Sequence, residues 1–143
     1  TLDGLFDSGG LLKDEKYMNA AIGGAEILAQ KFIERGLLHG RYDKQWCGSE
    51  AFIPTGGAQL AILWNKIAAD DSHSFWAVEA RSSMNTLLSV IATSGARTAR
   101  DVGGALQGSF PMWGRYETFG LPNWATKYMV DSLMNELNWS DER

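Results

Sequence analysis

Residues 36–64 read GLLHGRYDKQWCGSEAFIPTGGAQLAILW, and their character changes halfway. Up to Ile53, glycine, aromatic and charged residues follow one another without a period. From Pro54 onward the apolar positions Leu60, Leu63, Trp64 and Ile67 fall at i, i+3, i+4 and i+7. The first half has the chemistry of a loop, the second that of a helix. The same frame returns in residues 104–132, GALQGSFPMWGRYETFGLPNWATKYMVDS. There Gly104, Leu106, Gly108 and Pro122 stand at a constant offset from Gly36, Leu38, Gly40 and Pro54. An apolar-striped helix precedes each loop and another follows each proline. The chain therefore reads helix, long aromatic loop, helix, twice over.

Four long helical patterns account for most of the sequence. The first starts at about Asp14, a suitable N-cap, carries Tyr17, Ala21, Gly24, Leu28 and Phe32 on one stripe, and stops at Gly36. The second follows Pro54 and Thr55. The third aligns Trp76, Ala80, Met84, Leu87 and Ile91 and ends at Gly95. The fourth opens at Pro122 and Asn123 and repeats Ala125, Met129, Leu133 and Leu137 every fourth residue. Alternation of period 2 is nowhere sustained, so no strand is predicted. The expected fold is all-α, a single helical-repeat domain over 1–143 with antiparallel hairpins at about 14–70 and 74–138. Such repeats bury their apolar faces against neighbouring copies, and about three or more are the usual minimum. Two hairpins therefore fold as a compact four-helix bundle, or are completed by a homo-oligomer or by further repeats of a longer chain.

Composition narrows the function. A length of 143 residues supports one core, and 45% hydrophobic with 21% charged residues is ordinary for a globular chain. A net charge of −4 provides no basic field for a phosphate backbone, so nucleic acid is not an expected partner. The single cysteine, Cys47, cannot form an intramolecular disulfide. It fits a reducing compartment, and a cytoplasmic location is the expectation. His39 and His73 are the only histidines, and neither joins a cluster at metal-ligand spacing. Neither a metal nor another cofactor is expected. No apolar run approaches the roughly 20 residues of a membrane span.

The stretch GAQLAILWNKIAADDSHSFWAVEA, residues 57–80, resembles the hairpin of α/α-toroid proteins. It has a small-residue helix start, a tryptophan-bearing inner helix, a short acidic turn and an aromatic opening the next helix. GSFPMWGRYETFGLPNWATKYMVDSLM, residues 108–134, is similar to the closing repeat of toroid domains in bacterial proteins of polysaccharide metabolism. More remote relatives of that shape are the terpenoid cyclases and prenyltransferases. The resemblance implies that the loops between paired helices gather at one end of a barrel and form its binding cavity. It also implies recognition or processing of a polysaccharide. Against this stand a non-catalytic protein interaction module and an isoprenoid-binding domain. The isoprenoid reading lacks its acid motif, since AADDSH offers only Asp70 and Asp71 where such cyclases carry Asp-x-Asp-Asp. Zinc-dependent members need several ligands brought together, and Cys47 with His39 does not supply them.

Loop carboxylates among aromatics remain. Glycoside chemistry uses two carboxyl groups about 5 to 9.5 Å apart, one as acid and one as base or nucleophile. Glu50 and Glu117, one in each loop, are the candidate pair, with Trp46, Trp113 and Tyr116 as flat surfaces for a sugar ring. Arg41 and Arg115 could hold a carboxylate or sulfate through two parallel bonds. The plainer alternative makes the carboxylates solvated loop charges and pairs the arginines with Asp43 or Glu117. Trp64, Trp76 and Trp124 are expected in helix packing, His39 and His73 on the surface, and Asp131 beside Lys127 one turn away. The arginines of ARTAR, residues 96–100, read as exposed linker residues.

Overall fold

The structure, a computed structural model, describes residues 1–70, 75–96 and 103–141. The described residues form five helices: α1 (Leu2–Leu12), α2 (Glu15–Arg35), α3 (Pro54–Asp70), α4 (Phe75–Ala96) and α5 (Asn123–Asp141). Asp71, His73 and the arginines of residues 97–100 lie outside the described residues, as does the turn expected between the second and third helical patterns. Among the described residues no helix is long and apolar enough to cross a membrane.

The helix boundaries follow from cap chemistry. Asp14 has extended backbone and its carboxylate accepts from the Lys16 N–H at 2.9 Å, which starts α2. Gly36 ends α2 at φ 68°, a left-handed conformation that glycine adopts without steric cost, and its N–H returns to the Phe32 carbonyl at 2.7 Å. One helix was not foreseen. α1 has the sequence LDGLFDSGGLL, with glycines that disfavour helix, and it is held by packing instead. Gly9 lies so close to Met18 that a Cβ there would meet the Met18 backbone nitrogen at 2.8 Å, and Leu2 rests on Gly24. Lys13, at φ 54°, turns the chain into α2 as the Asp14 N–H bonds to the Gly9 carbonyl at 2.9 Å.

α3 is the central helix and touches all four others. It buries Ala58, Ala61, Leu63, Trp64, Ile67 and Ala68. Trp64 is fully enclosed. Its ring stacks on Phe32 at 6.2 Å between centroids, and its indole N–H donates to the Ala25 carbonyl of α2 at 3.1 Å, so the one polar atom of a large apolar side chain is satisfied. Ala21, Ala25 and Ala29 line the buried face of α2 and allow the close approach. On the other side, α4 contributes Ala80, Met84 and Leu88, and α5 contributes Ala125 and Met129. A buried polar relay joins α4 to α5: Ser132 donates to the Asn85 side-chain oxygen at 2.6 Å, and the Asn85 amide donates to Glu136. α1 is fastened to α3 by Lys66, whose ammonium lies 2.8 Å from both Asp3 and Asp7.

Two short strands correct the strand-free expectation. β1 (Arg41–Tyr42) and β2 (Gly48–Ser49) pair antiparallel, with Arg41 opposite Ser49 and Tyr42 opposite Gly48. Two residues a side are too few to leave an alternating pattern. Trp124 is a second correction. It is 44% exposed, because the buried stripe of α5 runs through Ala125 and Met129 and a residue one position away faces outward.

Candidate functional site

Both long loops meet at the end of the molecule where α3 and α5 begin. The Phe110 N–H donates to the Phe52 carbonyl at 2.8 Å, forming a single β-bridge between residues 37–53 and residues 103–122. Gly114 closes the seam. A Cβ there would come within 2.7 Å of the Ala51 Cβ, so only glycine allows the two loops this close.

The first loop is a hairpin organised by Asp43. Its carboxylate accepts from the Gln45 and Cys47 N–H groups at 2.9 and 2.8 Å, and the Trp46 N–H bonds to the Asp43 carbonyl at 3.0 Å. Asp43 is thus a turn-former, not the partner of Arg41. Arg41 pairs instead with Glu50 at 3.4 Å, with Arg41 73% exposed and Glu50 25% exposed. Tyr42 anchors an aromatic cluster: Trp46 lies 6.0 Å away, tilted at 56°, His39 meets it edge-on at 6.0 Å, and the Lys31 ammonium sits 5.8 Å above its ring. The Tyr42 hydroxyl accepts from the His39 N–H at 3.0 Å.

The second loop closes on itself through the Gly108 N–H and the Gly120 carbonyl at 3.0 Å. Ser109, fully buried, braces it by accepting from the Tyr116 N–H at 3.1 Å and donating to the Tyr116 carbonyl. The Leu106 N–H bonds to the Thr126 hydroxyl at 3.1 Å and fixes the loop to α5. Above this frame stand Trp113, 71% exposed, and Phe119, 68% exposed. Half-buried Tyr116 accepts from the Trp124 indole N–H at 3.3 Å, which orients both rings. Arg115 and Glu117 are exposed on the same loop.

Trp46, Glu50, Glu117 and Phe119 all have left-handed backbone, at φ 60°, 68°, 47° and 56°. Non-glycine residues rarely hold that conformation, and each instance costs on the order of 1 kcal/mol unless its surroundings impose it. Both candidate glutamates are among them. Each nevertheless engages its own loop: Glu50 through its ion pair with Arg41, and Glu117 through a Cβ lodged against Gly108 and Gly120. Of the residues expected from sequence, the structure joins Arg41 to Glu50, Trp46 to Tyr42, and Tyr116 to Trp124. Lys31, which no sequence signal marks, and His39, expected on the surface but half-buried, belong to the Tyr42 cluster. The signal for His39 was Gly48, whose missing side chain makes room for the imidazole.

An exposed tryptophan offers a flat apolar face with a polar edge. Such faces, on loops that also carry a guanidinium and a carboxylate, suit a ring that is apolar above and below and carries hydroxyls around its rim. Among the described residues no group of three His, Cys, Asp or Glu side chains is placed to hold a metal ion. Compared with known proteins, the chain matches no family model, no curated protein and no solved structure.

Proposed function

We propose that the joined-loop end recognises a polysaccharide, with Trp113, Tyr116 and Trp46 as stacking surfaces and Arg41 and Arg115 as contacts for hydroxyl or acidic substituents. The observation that carries this is the Phe52–Phe110 bridge, which draws two aromatic loops far apart in sequence to one end of the helices. Recognition is favoured over bond cleavage because the Glu50 carboxylate faces Arg41 in its own hairpin. Calorimetric titration with neutral and acidic oligosaccharides tests the proposal. Saturable heat with one sugar class, lost in Trp113→Ala, supports it, and no heat with any sugar from folded protein contradicts it.

The helical frame fits a repeated hairpin of the α/α-toroid kind. Gly36 and Gly104 both take positive φ, 68° and 86°. Leu38 and Leu106 are both buried, and Gly40 and Gly108 both lie under the returning chain, against Ala51 and Glu117 respectively. Pro54 and Pro122 are both buried where a helix opens.

A second reading, a helical interaction module, has its own support. Val130, Met134 and Leu137 are 45%, 56% and 66% exposed at i, i+4 and i+7 along α5. An additional repeat or another copy of the chain would cover such a stripe. Concentration-dependent assembly that Met134→Lys abolishes, with no response to sugars, would favour the module.

A further inference from the structure

A cavity of about 250 Å³ opens between α2, the first loop and the start of α3. Leu28, Leu38, Phe52, Ile53 and Leu60 make its walls apolar, and no charged side chain lines it. Its polar side chains are those of His39 and Tyr42, and the Tyr42 hydroxyl already accepts from the His39 backbone. An apolar cavity of roughly 150 Å³ is large enough to take a benzene molecule and stays dry when empty. This one is larger, and it opens to solvent.

Three glycines also line it, and they differ in what holds them as glycine. Gly40 lies directly against the Ala51 carbonyl. A Cβ on Gly57 would strike Phe52 at 2.6 Å and Met84 at 2.8 Å. Packing explains both. Gly56 is different: a Cβ there would meet nothing within 4 Å, and its backbone is helical. Neither close approach nor conformation requires glycine at a position where helix propensity favours any other residue but proline. Gly56 lines the cavity, and the absence of a side chain leaves that stretch of its wall open.

From this geometry we infer that the cavity binds one uncharged apolar group, a single ring or a short branched chain. Leu28, Leu60 and Gly56 line it, and Tyr42 and His39 supply its polar side chains. Charged and heavily hydroxylated ligands are disfavoured, since their desolvated polar groups would find too few partners. The inference goes beyond saccharide recognition and does not depend on it.

Titration of the protein with indole, cresol and isoamyl alcohol, followed through the methyl resonances of Leu28, Leu38, Ile53 and Leu60, tests it. Saturable shifts of these methyls are expected with at least one probe and with neither glucose nor inorganic phosphate. Comparing the two aromatic probes with the aliphatic one distinguishes a ring from a branched chain. Gly56→Leu, which places a side chain in the cavity, is expected to weaken binding about tenfold or more. No shift with any apolar probe up to its solubility, or unchanged affinity in Gly56→Leu, overturns the site. If Gly56→Leu does not fold, magnetisation transfer between bound probe and the Leu28 and Leu60 methyls of the unsubstituted protein decides, its presence supporting the site and its absence overturning it.

Discussion

The backbone N–H of Phe110 and the carbonyl of Phe52 are 2.8 Å apart, and this single bond ties together two loops that lead into different helices. The seam tolerates no bulk. At Gly114 a Cβ would come within 2.5 Å of the Ser109 Cβ and 2.7 Å of the Ala51 Cβ. Gly114→Val is expected to lower stability by about 1–3 kcal/mol through overpacking. It should also weaken saccharide binding, because the loops must separate to admit the side chain. Urea unfolding and calorimetry on the same sample check both effects.

Trp113 and Trp64 should respond in opposite ways to truncation. Trp113 is 71% exposed, so Trp113→Ala is expected to change stability by no more than about 0.5 kcal/mol while removing a stacking face. Trp64 is enclosed and bonded to Ala25, so Trp64→Ala is expected to cost about 3–5 kcal/mol. A Trp113→Ala loss as large as that of Trp64→Ala would make Trp113 a packing residue.

Asp43 supplies two backbone bonds to its turn. Asp43→Ala should cost about 1 kcal/mol, whereas Asp43→Asn, which retains the acceptor, should cost less. Trp46 reports the change through its fluorescence, since its position against Tyr42 depends on that turn.

The Lys66 link between α3 and α1 carries a pH dependence. Burial pushes the Lys66 ammonium down, but hydrogen bonds to Asp3 and Asp7, with their charges, outweigh it and hold its pKa above the ordinary lysine value. A raised folded-state pKa contributes stability that is fully present below the unfolded value of about 10.4 and is lost as pH rises through the folded one. Protection of the α1 amides, taken relative to the intrinsic exchange rate at each pH, is therefore expected to fall above that range. The groups are partly exposed, so Lys66→Met should cost only about 0.5–1 kcal/mol. A wild-type α1 no less stable above this range would contradict the link.

The helices were legible where sequence carries both a period and a punctuation mark: Asp14 and Gly36 around α2, Pro54 before α3, Pro122 before α5. The pairing of Asp131 with Lys127 also followed from spacing and is present. α1 was hidden because its glycines argue against helix, and it is held by tertiary contacts that no local pattern marks, Gly9 against Met18 and Leu2 on Gly24 of α2. Within the site, the aromatic loops could be read as a pair. Their internal partners could not, since Arg41 reaches Glu50 across a hairpin and Asp43 directs its carboxylate to the Gln45 and Cys47 N–H groups of its own turn. His39 was misplaced for the same reason, its setting depending on Tyr42 and Gly48 folding back over it.

Recognition at the joined loops is tested most directly by the indole N–H resonances of the six tryptophans during titration with the sugar that gives heat. Binding there predicts that Trp113 and Trp46 shift together and saturate, while Trp64, sealed in the core and bonded to Ala25, stays in place. Shifts that spare Trp113 and Trp46, or appear only at Trp64, would contradict it.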